Sequence, residues 1–202
     1  AATFAPYADK PIDAIAQDPK ALKLGKAIFA NNCATCHGWS AQGAIGYPNL
    51  TDDIWHWGGS PEQILETVLN GRQAAMPAWE SALGGPQGVT EVAVYLQSMR
   101  GEKVDSSLAN AGKSRYDTIC VSCHGADGKG MQALGSPDLT DDYWLYGDDA
   151  RAIETSIALG RNGAMPAHAP IIGDTRARLV AAYVWSLSHA KTAQADTGAS
   201  KQ

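Results

Sequence analysis

The sequence predicts an all-α protein made of two tandem copies of one small domain. Three observations carry that prediction. The chain aligns on itself along most of its length, its apolar residues recur at helical spacing without strand-like alternation, and its four cysteines form two equivalent pairs.

The duplication is read directly from the residues. Cys33-Ala-Thr-Cys36-His37-Gly38 returns as Cys120-Val-Ser-Cys123-His124-Gly125, 87 residues later. Pro48-Asn-Leu-Thr-Asp-Asp53 returns as Pro137-Asp-Leu-Thr-Asp-Asp142 at a spacing of 89, so the second copy has gained two residues. Trp55 then matches Trp144, Gly71-Arg72 matches Gly160-Arg161, and Ala75-Met76-Pro77 matches Ala164-Met165-Pro166. Ala93-Val-Tyr95 finally aligns with Ala181-Ala-Tyr183. The expected division is an arm over 1–17, a domain over 18–100, a linker over 101–107, a second domain over 108–190 and a tail over 191–202.

Local signals place the helices. Asp18 before Pro19 is an N-cap with proline at the first helical position, opening a helix that runs to the first CxxCH. Ser60-Pro-Glu-Gln63 reads as a capping box, and Ile64, Leu65, Val68 and Leu69 form an apolar stripe that Gly71 should end. Val92, Tyr95, Leu96 and Met99 fall at i, i+3, i+4, i+7, and Val180, Tyr183, Val184 and Leu187 repeat that stripe. Gly25/Phe29 and Gly112/Tyr116 stand at i, i+4 before each CxxCH; they would let the first helix of a domain cross closely over its last, near Tyr95 and Tyr183. Domains of this size bury little apolar surface, and a large apolar body at the centre would complete them.

Composition narrows the function. With 16 Lys+Arg against 21 Asp+Glu the chain is acidic, which argues against nucleic acid as a partner. No apolar run approaches the ~18–20 residues of a membrane-spanning helix. No basic-then-apolar leader is present either, so a signal or anchor is expected to lie outside this sequence.

Two thiols three positions apart at a helix end can reach both vinyl-derived carbons on one side of a haem, with the next histidine under the iron. Cys33, Cys36 and His37, and again Cys120, Cys123 and His124, therefore predict two covalently attached haem c groups. A redox dithiol would want a βαβ setting, which is missing, and a zinc site would need both cysteine pairs to converge. For the sixth iron ligand, Met76 and Met165 each follow their histidine by about 40 residues in an Ala-Met-Pro turn outside any apolar stripe. His56, where the second copy has Leu145, is the alternative ligand in the first domain. His168 and His189 read as bystanders, Met99 as core, and Met131 as too close to His124 to reach the opposite haem face. Trp55, Trp57, Trp144 and Tyr146 wall the haem pockets or form ordinary aromatic core. Arg72 and Arg161 either pair with haem propionates or stand solvated near a helix end.

These residues resemble class I cytochromes c and, more narrowly, the diheme cytochrome c subunit (subunit III) of cbb3-type cytochrome c oxidases. The resemblance rests on Phe29-Ala-Asn-Asn-Cys33-Ala-Thr-Cys-His37-Gly, Gly46-Tyr-Pro-Asn-Leu-Thr-Asp52, Trp57-Gly-Gly59 and Gly71-Arg72…Met76-Pro-Ala-Trp79. In the second copy it rests on Pro137-Asp-Leu-Thr-Asp…Trp144-Leu-Tyr-Gly147 and Ala182-Tyr-Val-Trp-Ser-Leu-Ser188. It implies two tandem class I cytochrome c domains on the periplasmic face of a bacterial inner membrane. Their work would be to pass electrons from a soluble cytochrome c towards the other subunits of the oxidase, with no catalysis by the chain itself. Membrane association would come only through a segment that this chain lacks. The alternatives are a free soluble periplasmic diheme shuttle, a diheme peroxidase, and the cytochrome subunit of a dehydrogenase. His56 stands where an aliphatic residue is expected, and the inequality His56/Leu145 predicts unequal potentials at the two haems.

Overall fold

Asp18 accepts hydrogen bonds from the Lys20 and Ala21 amides and Pro19 opens the helix, so α2 (Pro19–Asn32) begins where the cap signal places it. It follows α1 (Ile12–Ile15) and leads straight into α3 (Ala34–His37), the helical turn that ends in the first histidine. The Ser60–Gln63 capping box starts α4 (Pro61–Asn70), and Gly71, with φ of 72°, stops it. After β1 (Arg72–Met76) come α5 (Pro86–Met99), α6 (Ser106–Ile119) and α7 (Val121–His124), then α8 (Ala150–Leu159), β2 (Arg161–Met165), α9 (Ala169–Ile172) and α10 (Asp174–Gly198). In this computed structural model residues 3–198 are described, and within α10 the side chains only as far as His189. No helix among the described residues is long and apolar enough to cross a membrane.

The all-α expectation holds with one addition. The two segments that run into Met76 and Met165 are short strands, β1 and β2, paired in a two-stranded sheet. Neither shows alternating hydrophobicity in sequence, so periodicity could not find them.

The described residues form two compact units, and these are not the two sequence repeats. One unit holds the chain up to Arg72 together with everything from Met165 onwards; the other holds Gln73–Ala164. This division cuts across the expected sequence domains 18–100 and 108–190. In the first unit α10 packs on α1, α2 and α4, around Ile15, Phe29, Ile64, Leu179 and Val180. In the second, α5 packs on α6 and α8, around Leu83, Val92, Tyr116 and Ile153.

The close helix crossing expected from the two glycines is present, with its partners exchanged. A methyl group on Gly25 of α2 would collide with the Leu179 carbonyl and Tyr183 of α10, not with Tyr95. One on Gly112 of α6 would collide with the Glu91 carbonyl and Tyr95 of α5. The edge-to-face ring pairs follow suit: Phe29 with Tyr183 at 5.6 Å, and Tyr116 with Tyr95 at 5.3 Å. A physical reason is the joint. Only residues 100–105 separate α5 from α6, and such a short turn favours the antiparallel hairpin in which neighbouring helices pack on each other. The expected linker 101–107 is therefore this turn and the start of α6, inside one unit.

The expected arm 1–17 packs against the first unit. Tyr7, Ile12 and Ile15 are buried in the first unit's core, and the Tyr7 hydroxyl donates to Asp18 at 2.8 Å. Of the expected tail 191–202, the helical backbone continues to Gly198 and residues 199–202 lie outside the described ones. His189 is consequently inside α10, stacked on Trp185 at 4.3 Å, rather than beyond the last helix.

Candidate haem sites

Each CxxCH is built in the same way. The long helix delivers the first cysteine as its C-cap, one helical turn carries the remainder, and Gly38 or Gly125, both at φ 77°, ends that turn. Cys33 and Cys120 are half-buried, whereas Cys36 and Cys123 are exposed. Burial first, and the neighbouring thiol second, push Cys33 and Cys120 up to about 11, so these are not the acidified thiols of a redox dithiol. The two pairs fall in separate units, and no three His, Cys, Asp or Glu side chains converge on a metal position among the described residues. The zinc reading loses its geometry.

Nδ1 of His37 lies 3.1 Å from the Pro48 carbonyl, and Nδ1 of His124 lies 3.3 Å from the Pro137 carbonyl. That bond fixes the ring and the tautomer and leaves Nε2 unprotonated and available to a ligand. Burial lowers the pKa of both imidazoles against the opposing effect of the carbonyl bond, favouring the neutral ligand form. The role of the repeated Pro-x-Leu-Thr-Asp-Asp string now becomes visible. Asn49 Oδ1 accepts from the Thr51 amide and hydroxyl, and Asp138 Oδ1 accepts from those of Thr140. Asp52 and Asp141 then accept from the Ile54 and Tyr143 amides. Consecutive Asx turns thus hold the loop whose proline carbonyl orients the histidine. Sequence reasoning saw this string as a repeat mark and missed that role.

The aromatic and arginine pairs also recur. Arg72 Nε donates to Thr67 Oγ1 at 2.9 Å while its guanidinium lies 5.1 Å from the Trp57 ring centre. Arg161 Nε donates to Ser156 Oγ at 3.0 Å over Tyr146 at 4.4 Å. Both are half-buried, so the solvated reading is replaced by a held guanidinium on an aromatic face. Trp55 packs on the first unit's core and Trp144 on the second's. Arg100 lies 5.1 Å over Trp144 with its Nε buried and unpaired. His56 is half-buried between Trp55 and Trp57, and its charge acts on the neighbouring Asp52.

The methionines fall where the repeat order does not put them. Met76 is half-buried and packs on the second unit's core, as Trp79, Cys120 and Trp144 do, and the Trp79 amide donates to the Ile157 carbonyl at 3.0 Å. Met99, expected in the core, is half-buried against it. Met165 belongs to the first unit: its carbonyl lies against Gly71, and the His168 amide donates to the Val68 carbonyl at 3.0 Å. His168 is close enough to His37 for its charge to act on that imidazole.

The donor set fits a covalently bound haem in each unit: paired cysteines, an imidazole with Nε2 available, a half-buried methionine and aromatic walls. Fold and sites together define a c-type cytochrome. A sequence model of the family described as cytochrome c oxidase, cbb3-type, subunit III matches residues 20–96 and 107–184. The chain belongs to that family. It is 42% identical over 192 residues to the CcoP subunit of the cbb3-type oxidase of Rubrivivax gelatinosus, covering 95% of this chain and 63% of the relative. The FixP subunit of Azorhizobium caulinodans is 40% identical over 200 residues, at 93% and 68% coverage. CcoP of Rhodobacter capsulatus is 39% identical over 198 residues, at 87% and 67%. The chain thus spans roughly two thirds of the length of these relatives, 63–68%.

Proposed function

We propose that this chain carries two haem c groups and passes electrons from a soluble cytochrome c towards the other subunits of a cbb3-type oxidase, on the periplasmic side of the membrane. The observation that carries the reading is the recurrence, in both units, of a CxxCH helix end whose histidine is tied through Nδ1 to a proline carbonyl. Cys33 and Cys36 hold one haem as thioethers, and Cys120 and Cys123 hold the other. His37 and His124 would ligate the irons through Nε2, and Met76 and Met165 would supply the other ligands, with His56 as the competing donor. When bound, each haem supplies a one-electron Fe(III)/Fe(II) couple whose potential a thioether ligand raises.

The chain's own residues keep that couple rigid and largely dry. Proline carbonyls fix the imidazoles, and Trp55, Trp57, Trp144 and Tyr146 exclude water. Arg72 and Arg161, anchored through Nε, offer their terminal nitrogens to propionates. No side chain acts as acid, base or nucleophile, so the chain by itself is not an enzyme. Its formal charge of −5 suits approach by a basic donor.

The test is haem stoichiometry by intact mass and pyridine haemochrome, followed by stopped-flow mixing with a reduced soluble cytochrome c. Two covalent haems per chain and salt-sensitive electron uptake are expected. One haem per chain, or rapid turnover of hydrogen peroxide that reveals an open iron, overturns the reading.

A further inference from the structure

We infer that the two repeats exchange their sixth ligands: Met165 of the second repeat serves the haem on Cys33, Cys36 and His37, and Met76 of the first serves the haem on Cys120, Cys123 and His124. The inference rests on the haem reading above and goes beyond it, since repeat order pairs each histidine with the methionine about 40 residues downstream.

Three observations point to the exchange. Met76 packs on the core of the second unit, as Cys120 and Trp144 do, and Met165 lies in the first unit. The amide of His168, three residues after Met165, donates to the Val68 carbonyl at 3.0 Å within the first unit. Each unit is also closed by the last helix of the other repeat, through the Gly25–Tyr183 and Gly112–Tyr95 crossings.

The pairing of helices has a cause in the sequence. At the α5–α6 crossing, Arg115 Nε donates to Glu91 Oε2 at 2.6 Å and Arg115 Nη1 to the Leu83 carbonyl at 2.6 Å, with Glu91 only 5% exposed. The equivalent positions in the other unit are Ile28 on α2 and Leu179 on α10, both buried and apolar. Closing each repeat on itself would set Glu91 against Ile28 and Arg115 against Leu179. Buried Glu91 would then lose its partner and half-exposed Arg115 would face hydrocarbon, which is how an interface rejects the wrong mate. Charge meets charge and hydrocarbon meets hydrocarbon only when the helices are exchanged, and each helix brings its methionine strand with it.

The experiment uses the full diheme chain with one haem optically tagged. Cys33→Ala leaves one vinyl group conjugated with the porphyrin and moves the α band of that haem to the red; Cys120→Ala tags the other haem instead. On the Cys33→Ala background, Met165→Ala should open the tagged haem to carbon monoxide in the reduced state, and Met76→Ala the untagged one. The reverse pattern overturns the exchange while leaving methionine ligation intact. Carbon monoxide binding at neither haem overturns methionine ligation itself, and the exchange with it. Should an alanine variant open both haems, Met165→His decides, because it keeps a sixth ligand. It should close both haems and lower the potential of the tagged one alone; a lowered potential at the untagged haem sinks the proposal.

Discussion

Two helix crossings with the same backbone geometry are held by opposite chemistry. In both, a glycine lets one helix sink against the backbone of another, and an aromatic pair flanks the contact. In the second unit the crossing encloses the ion pair of Glu91 and Arg115; in the first, Ile28 and Leu179 occupy the equivalent places. Glycine and aromatic residues make the crossing possible and cannot choose between partners, because both repeats carry them. The charged pair chooses. A buried ion pair commonly adds little net stability over a hydrocarbon pair, yet leaving either charge alone is costly, so its value here lies in specificity.

The largest expected effect comes from breaking that pair on one side. Arg115→Ile strands the buried Glu91 and should lower Tm by roughly 10 °C, while adding Glu91→Leu should restore most of the loss. Calorimetry of the two variants decides; a double variant as unstable as the single one would show that the pair is not what distinguishes the crossings. The same variants sharpen the pH dependence. Arg115 holds the Glu91 carboxyl below its ordinary value of 4.5. The contribution of the pair is therefore complete above that value and is lost as the pH falls through the lower folded value. Below about pH 4.5 the wild type should lose Tm more steeply than the double variant.

A smaller effect tests what the crossings share. Gly25→Ala and Gly112→Ala should each destabilise by about 1–3 kcal/mol, since a methyl group meets a backbone carbonyl that cannot turn aside. Guanidinium unfolding should show comparable losses for both; a loss confined to one would mean that the crossings differ in geometry too. The smallest effect concerns the hydroxyl that separates Tyr116 from its counterpart Phe29. Tyr116 donates to the Gly125 carbonyl at 2.7 Å, bracing the end of the second CxxCH turn. Tyr116→Phe should cost about 1 kcal/mol and leave both haems attached. A detached haem would give that bond a role in assembly.

Much of the site was legible in the residues. CxxCH, the Asp18 cap, the Ser60–Gln63 box and the Gly71 stop are local statements whose partners lie within a few positions, so short-range chemistry is enough to read them. The strands that end in Met76 and Met165 were not legible, since their burial alternates but the hydrophobicity of their five residues does not. The Pro48 and Pro137 carbonyls were missed because a backbone acceptor carries no residue signature; only the course of the Asx-turn loop brings it to the imidazole.

The sequence by itself determined the repeat, the helices, the four cysteines and two histidines of the attachments, and the two candidate methionines, because each is specified by spacing along the chain. Only the tertiary structure decided which helix closes which unit and which methionine enters it. Duplicated contacts are degenerate: Gly25 could accept Tyr95 as readily as Tyr183, and the spacing of Met76 from His37 matches that of Met165 from His124. What separates the alternatives is a short turn between α5 and α6 and the cost of burying Glu91 or Arg115 without the other. Both terms exist only once the chain has folded back on itself, so no window along the sequence contains them.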